Sequence, residues 1–225
     1  MSGRLPRPPL LAITDRRQLP PGRDLQTTLA LLVAAGLRWI SLREKNLPVG
    51  DLRRLLRACR AALGRHEVLH LGLHGSVELY LELADLDLDG LHLPANADVG
   101  AARARLGPRP LIGVSCHGTQ AVAAAAAGGA DYATLSPIFP SLSKPGYGPT
   151  LGLGALAQAP KSLPVLALGG VTAARLPACL TAGAAGAAVM GPLMRAEDPG
   201  RAAAALLQGY EAQTAVSEPE LPPDR

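Results

Sequence analysis

The strongest constraint on the fold is a regular alternation of short apolar runs with longer stretches rich in Ala, Leu and Arg. The apolar runs have the length and flanking residues of buried strands, and the intervening stretches have the composition of helices. Strands are predicted at residues 10–14, 37–44, 67–73, 89–93, 110–115, 132–138, 164–169 and 186–191. Helices are predicted at about 25–36, 49–63, 76–84, 97–106, 118–129, 152–160, 172–183 and 197–212, with Asp51, Ser76 and Thr172 as N-caps.

Eight βα units without a linker predict a single (β/α)8 TIM barrel over residues 10–212. Residues 1–9 form an N-terminal extension, and the acidic, proline-rich tail at 213–225 is predicted to be disordered. A doubly wound sheet is the alternative fold. Its dinucleotide-binding version needs GxGxxG after the first strand, where this chain reads ITDRRQLPPG. The barrel is therefore the preferred fold.

Composition excludes several classes of protein. No apolar run reaches the length needed to span a bilayer, and a formal charge of +4 without a basic block interleaved with aromatics argues against nucleic-acid binding. Three scattered cysteines, Cys59, Cys116 and Cys179, predict a cytoplasmic protein with neither disulfides nor a thiolate metal cluster. A homodimer is compatible with this organisation.

The segment VLHLGLHGS places His70 and His74 four residues apart. On a helix this spacing would put both imidazoles on one face, as in zinc sites. The segment instead alternates leucine with histidine or glycine, which is the period of a strand. We predict a strand that leaves His74 at the barrel mouth and His70 deeper, and no metal site.

Two glycine turns predict a phosphate site. In LALGGVTAARL, Gly169 and Gly170 lie between a buried strand and a helix, where backbone N–H groups can face an anion. A second turn at Met190 and Gly191 completes the pattern of a phosphate site built from the last two loops of a barrel. A plain helix-capping turn is the alternative explanation of the glycine pair.

Two further segments supply charge at the mouth. SLREK places Arg43 and Lys45 on one side of a strand end and Glu44 on the other, which suits a phosphate or carboxylate ligand or, alternatively, an ion-paired rim. The loop at 136–151 is the longest non-periodic stretch and is typical of a binding loop. It holds Ser136 and Lys144, and Lys144 lies where it could reach a phosphate.

VSCHG places His117 just past a strand and near the start of a helix, whose positive end favours the neutral imidazole. A neutral imidazole can act as a general base. The neighbouring Cys116 invites interpretation as a nucleophile, but adjacent residues of an extended chain point to opposite sides. Cys116 is therefore interpreted as a core residue.

Six motifs in order resemble the thiamin phosphate synthase and TenI superfamily. They are ITD at 13–15, SLREK at 41–45, DGLHLP at 89–94, GVSCH at 113–117, ADYATLSPIFPSLSKPG at 130–146 and ALGGVT at 167–172, within a match over roughly residues 10–195. The resemblance implies a TIM barrel whose active site holds a thiazole phosphate. It also implies that the two glycine turns are the phosphate cradle and that His117 is the histidine to which the TenI branch assigns proton transfer, although synthases carry it too.

The superfamily contains two activities. The synthase couples a pyrimidine pyrophosphate to a thiazole phosphate with Mg²⁺, and the TenI-type enzyme isomerises a thiazole phosphate carboxylate to its aromatic tautomer. Synthases typically end the third strand in Asn-Asp-Arg and carry a further Asp in a motif like His-x-Gly-Gln-x-Asp, the two carboxylates serving Mg²⁺. Here the first motif reads His74-Gly75-Ser76, and Ala97 takes the second Asp position, with Asp98 one residue later. On a helix that shift turns a side chain by about 100°.

The sequence thus predicts a TenI-type thiazole tautomerase that uses no metal or cofactor. The alternatives are a thiamin phosphate synthase, which would need Mg²⁺, and a non-catalytic barrel that binds a phosphate ligand; Arg43 and Lys45 suit the synthase and a substrate carboxylate equally. The predicted catalytic residue is His117. The predicted substrate-binding residues are Arg43, Lys45, His74, Ser136, Lys144, Gly169, Gly170, Met190 and Gly191.

Overall fold

The protein is a closed barrel of eight parallel strands. A computed structural model describes residues 4–64, 69–141 and 149–217. The strands follow one another around the barrel in chain order, and the first closes against the eighth. The predicted TIM barrel is therefore confirmed.

All eight predicted strands are present, each followed by a helix. The strands are β1 Leu10–Ile13, β2 Trp39–Leu42, β3 His70–His74, β4 Gly90–Leu93, β5 Leu111–Cys116, β6 Tyr132–Leu135, β7 Val165–Leu168 and β8 Gly186–Val189. The helices are α1 Leu25–Ala34, α2 Val49–Leu63, α3 Val77–Glu82, α4 Val99–Leu106, α5 Thr119–Ala127, α6 Gly152–Gln158, α7 Leu176–Thr181, α8 Gly191–Met194 and α9 Pro199–Ser217. Short 3₁₀ turns occupy Arg16–Gln18 and Ala84–Leu86.

Two of the three predicted N-caps are wrong. Ser76 caps α3, its hydroxyl accepting from the Leu79 N–H at 3.2 Å. Helix α2 begins after the extended Pro48, so Asp51 lies inside its first turn. Helix α7 begins after Arg175 rather than Thr172. Its early proline explains the late start, because proline has no N–H and is tolerated in the first turn.

The last helix is longer than predicted. Helix α9 continues to Ser217, so residues 213–217 of the predicted tail are helical. This stretch contains no helix breaker, and the first proline of the tail is Pro219, before which helical backbone is disfavoured. The rest of the predicted tail, residues 218–225, lies outside the described residues.

Strand residues alternate between two cores. Outward-facing side chains pack against the helices, whereas a separate inner cluster fills the barrel and consists of Leu11, Ile13, Trp39, Leu111, Tyr132, Leu166 and Ala188. The inner wall also holds buried polar side chains, among them Ser41, His92 and Thr134. All three cysteines are buried free thiols, and burial raises the pKa of Cys116 to about 11, as befits a core residue. No helix in the described ranges is both long and apolar enough to cross a membrane.

Residues 4–9 of the N-terminal extension pack against one end of the barrel. Leu5 packs against the inner cluster, and the Arg4 guanidinium pairs with Asp131 at 2.6 Å. The carbonyl of Pro9 accepts from the Ala187 N–H at 3.2 Å, continuing the contact between the first and last strands. With this end closed, the carboxyl ends of the strands form the accessible mouth.

Candidate active site

A pocket of about 190 Å³ lies at the β7/β8 end of the mouth, between the two predicted glycine turns. Gly169 and Gly170 adopt positive φ angles of 93° and 64°. A Cβ at Gly169 would lie 2.9 Å from the Cα of Pro137, and one at Gly170 would lie 2.8 Å from the Cβ of Phe139. Only glycine fits both the backbone conformation and the close approach of the neighbouring loop.

Backbone donors line this pocket, which we call the phosphate pocket. No carbonyl of the described chain accepts a hydrogen bond from the N–H groups of Gly169, Gly170 or Gly191. Met190 and Gly191 form the opposite wall, as the sequence predicted. These N–H groups are available to an anion.

Two arginines of the phosphate pocket were missed by the sequence reasoning. Arg175 donates to the carbonyl of Gly170 at 2.9 Å, and its guanidinium lies 4.9 Å from the ring centre of Phe139. Arg195 donates to the side-chain oxygen of Gln18. Both line the same pocket, where they add positive charge beside the backbone donors. Arg175 lies five residues after Gly170 and Arg195 four after Gly191, and this closeness to a glycine turn is the only local signal for them.

His117 stands exposed at the end of β5, one residue before the N-cap of α5. Its Nδ1 lies 2.9 Å from the carbonyl oxygen of Ser136, which can only accept. The Ser136 hydroxyl lies 3.4 Å from the same nitrogen. In the neutral imidazole Nδ1 therefore carries the proton, and Nε2 carries the lone pair that can take a proton.

The loop after Ser136 connects His117 to the phosphate pocket. The N–H of Ile138 donates to the carbonyl of Leu168 at 2.9 Å, and that of Phe139 donates to Gly169 at 3.0 Å. The loop is thus bonded to the strand end that forms the pocket. Lys144, further along this loop, lies outside the described residues, so its predicted role stays a prediction.

The end of β2 separates its charges as predicted. Glu44 is buried on the outer side, where it accepts from the Thr14 hydroxyl at 2.7 Å and from the Arg16 N–H at 3.2 Å. Burial raises the pKa of Glu44, and these hydrogen bonds oppose the rise. Arg43 is half-buried and burial lowers its pKa, whereas Lys45 is exposed. Their roles in ligand binding stay predictions.

A buried polar chain beneath the mouth was also missed. His92 is 2% exposed; its Nδ1 lies 3.0 Å from the Tyr132 hydroxyl and its Nε2 lies 3.0 Å from the Ser115 hydroxyl. The ring of His74 lies 4.7 Å from that of His92. Burial, and then the charges of Lys45 and Arg43, lower the pKa of His92 to about 3, so this imidazole is neutral.

The described carboxylates at the β3/β4 end of the mouth, Glu78 and Asp98, are both engaged, Glu78 by the Arg105 guanidinium at 2.6 Å. Gly75 and Ala97 occupy the positions where the resemblance places acidic residues, and the Asp98 carboxylate accepts from the Ala101 N–H at 2.9 Å as the N-cap of α4. The described residues contain no group of three or more His, Cys, Asp or Glu that could hold a metal ion. Mg²⁺ prefers several oxygen ligands in octahedral geometry, and this donor set does not fit it.

Comparison with known proteins places this geometry among enzymes of one pathway. A family model described as thiamine monophosphate synthase matches residues 10–193. A putative thiamine-phosphate synthase from Geobacter sulfurreducens is 42% identical over 201 residues, 88% of this chain and 92% of the relative. A thiamine-phosphate synthase from Myxococcus xanthus is 38% identical over 211 residues, 92% of this chain and 94% of the relative.

A solved structure agrees with these relatives. Thiamine phosphate pyrophosphorylase from Pyrococcus furiosus matches with a TM-score of 0.76 at 25% identity, over 91% of this chain and 96% of that one. The names of these relatives favour the synthase, the alternative of the sequence analysis, over its main prediction of a tautomerase.

Proposed function

Because the chain belongs to the thiamine monophosphate synthase family, we propose that it is a cytoplasmic enzyme of thiamin biosynthesis that isomerises a thiazole phosphate carboxylate to its aromatic tautomer. The observation that carries this proposal is a difference between the two ends of the barrel mouth. The described part of the mouth holds the phosphate pocket and His117, whereas Gly75 and Ala97 stand where the resemblance places the carboxylates that coupling with Mg²⁺ would use.

The phosphate pocket would anchor the substrate. Backbone N–H groups of Gly169, Gly170 and Gly191 would donate to the phosphate oxygens, and Arg175 and Arg195 would balance its charge. Hydrogen bonds to a charged group contribute about 1.5–3 kcal/mol each. Anchoring at one end leaves the ring and carboxylate to extend toward Ser136 and His117, along the loop that joins them to the pocket.

His117 would move the proton. The Nε2 lone pair takes the proton from the ring carbon, the electron pair shifts into the ring, and the imidazolium returns a proton to the carbon at the other end of the conjugated system, because the nitrogen of a neutral aromatic thiazole carries no proton. No proton is gained or lost overall. The Ser136 carbonyl, 2.9 Å from Nδ1, fixes the tautomer and stabilises the imidazolium that forms. Arg43, Lys45 and His74 would face the substrate carboxylate.

Thiamin phosphate synthase activity is the second candidate. The names of the relatives favour it, and Arg43 and Lys45 suit a pyrophosphate as well as a carboxylate. The donor set of the β3/β4 end argues against it, because Asp98 is engaged as a helix cap and Gly75 and Ala97 have no side-chain carboxylate to offer.

Two parallel reactions separate the candidates. The purified protein is given the pyrimidine pyrophosphate, the thiazole phosphate and Mg²⁺ in one, and the non-aromatic thiazole carboxylate phosphate in D₂O in the other. We expect aromatisation in the second and no coupling in the first. Coupled product as the main activity would establish the synthase, and binding of the thiazole phosphate without either reaction would establish a non-catalytic barrel.

The variant His117→Ala tests the assignment of the base. General base catalysis is worth about 10²–10⁴-fold, so aromatisation should fall by that factor while the affinity for the thiazole phosphate stays within about twofold. Tautomerisation at the wild-type rate in this variant would remove His117 from the mechanism even if the activity itself is confirmed.

A further inference from the structure

The hydrogen-bonded chain from Tyr132 through His92 to Ser115 has no part in the proton transfer proposed above. It runs across three neighbouring strands, from a tyrosine that is 3% exposed to a serine that is partly exposed at the mouth. Both links measure 3.0 Å. Burying polar groups inside a barrel is costly unless each donor has an acceptor.

The chain has only one arrangement that satisfies all its buried donors. His92 is neutral and carries a single N–H. If Nδ1 carried it, that N–H would donate to the Tyr132 oxygen, and the phenol O–H would be left without an acceptor, since His92 is its only hydrogen-bond partner in the described chain. A buried donor without a partner costs about 1–3 kcal/mol.

The satisfied arrangement has a direction. The Tyr132 O–H donates to Nδ1 of His92, and the Nε2–H of His92 donates to the Ser115 oxygen. Burial raises the pKa of Tyr132, which keeps its proton in place. The Ser115 O–H is then the one donor left over, at the end of the chain that reaches the mouth. Ser115 lies two residues before His117 on the same face of β5.

The surrounding backbone leaves room for this chain. Gly113, the residue of β5 that is paired with Tyr132, has no side chain, and a Cβ there would collide with the Tyr132 ring. Trp39 packs edge-on against the other side of that ring at 4.7 Å. The phenol is therefore held in one orientation beneath His92.

We propose that Tyr132 and His92 are positioning residues that fix the Ser115 hydroxyl as a hydrogen-bond donor to an anionic oxygen of the bound ligand. The positive charges of Arg43 and Lys45 help to lower the pKa of His92, so their electrostatic potential extends to this region and attracts an anion. The identity of the ligand, a thiazole phosphate carboxylate, rests on the proposed function. The direction of the chain does not depend on it.

Nitrogen NMR of the unliganded protein, with ¹⁵N-labelled histidine and Tyr132→Phe to assign the signals, tests the direction. We expect Nδ1 of His92 to be unprotonated and Nε2 to carry the proton between about pH 6 and 8. A protonated Nδ1, as would follow if water in the small cavity beside Tyr132 accepted from the phenol, would overturn the inference. This result is independent of any enzymatic activity.

Kinetics of Ser115→Ala and Tyr132→Phe test the consequence. Loss of one hydrogen bond to a charged group should raise KM for the thiazole carboxylate phosphate about 5–20-fold in both variants, with kcat changed less than about threefold. If wild type does not turn this compound over, the same factor is expected in its dissociation constant. Tyr80→Phe is the matched control, because it removes a phenol that donates to Leu88 outside the barrel. An unchanged KM or dissociation constant in Ser115→Ala would contradict the proposal.

Discussion

The two ends of the barrel mouth differ in the groups that they present, backbone at one end and side chains at the other. The β7/β8 end is built from backbone: the loop after β6 approaches Gly169 and Gly170 so closely that only glycine fits, and Arg175 and Arg195 line the same pocket. The β3/β4 end has a pocket of about 210 Å³ whose polar side chains are already engaged: Ser76 and Asp98 cap helices, Glu78 pairs with Arg105, and Gly75 and Ala97 carry no polar side chain. A family fold can therefore keep one subsite while the other lacks its side chains.

The two ends of the mouth also depend on different features of the chain. Backbone donors in the phosphate pocket depend on loop geometry, so they fail only when the backbone is disturbed. A metal site depends on individual carboxylates, so single substitutions remove it or restore it.

The largest expected effect comes from Gly170→Ala. The residue has φ of 64°, which costs a non-glycine residue about 1–2 kcal/mol. Its Cβ would also lie 2.8 Å from that of Phe139, so the loop must move. We expect affinity for the thiazole phosphate to fall about 100-fold, the equivalent of one or two charged hydrogen bonds.

Gly75→Ala at the other end is the matched control. Its backbone is outside the positive-φ region, and its Cβ would meet only the end of the Leu79 side chain, at 3.0 Å. Calorimetry should show affinity for the thiazole phosphate within about twofold of wild type. Equal losses in both glycine variants would show that the ends do not differ as described.

Lowering the pH should destabilise the protein through the buried imidazole of His92. The pKa of His92 is about 3 when folded and 6.5 for the ordinary side chain, so between these values the unfolded state binds the extra proton. Its contribution is complete above about pH 6.5 and is lost as pH falls. From pH 7 to 5 the free energy of unfolding should drop by about 2 kcal/mol more in wild type than in His92→Gln. If urea unfolding gives the same change in the free energy of unfolding from pH 7 to 5 for both proteins, this prediction is wrong.

Arg195→Gln removes one cation from the phosphate pocket and leaves the glycine turns in place. The affinity for the thiazole phosphate should fall about tenfold, the lower part of the range for a charge-assisted hydrogen bond. Arg54→Gln, which changes an exposed arginine on α2, provides the comparison and should bind as wild type does. If both variants bind equally well, Arg195 does not contact the phosphate.

The smallest effect is a gain at the β3/β4 end. Gly75→Asp combined with Ala97→Asp supplies two carboxylates where the resemblance places them. We expect Mg²⁺ to bind at least about threefold more tightly than to wild type, with affinity for the thiazole phosphate unchanged. Calorimetric titration with MgCl₂ measures this. Wild type that already binds Mg²⁺ as tightly as the double variant would remove the distinction between the two ends.

Local sequence predicted the strands and the two glycine turns that follow β7 and β8. Gly169 and Gly170 follow a buried strand directly, and their positive φ angles need no distant partner to be anticipated. Arg175 and Arg195 were missed because an arginine beside the end of a helix usually faces solvent, and only the closure of β7 against β8 brings both to one pocket.

The buried polar chain was beyond local reasoning for a related reason. His92 is separated by 40 residues from Tyr132 and by 23 from Ser115, so the contacts depend on the register of three strands. The caps of α2 and α7 were misplaced because prolines, rather than the polar residues nearby, set where those helices begin.

The central claim is that the phosphate pocket and His117 together perform a metal-independent proton transfer. The most direct test is the rate of aromatisation of the thiazole carboxylate phosphate in D₂O, measured with excess EDTA and with Mg²⁺. Our account predicts equal rates under both conditions and solvent deuterium at the carbon of the new tautomer that receives the proton. A rate that falls with EDTA and returns with Mg²⁺, or no aromatisation while the pyrimidine pyrophosphate is coupled, would contradict it.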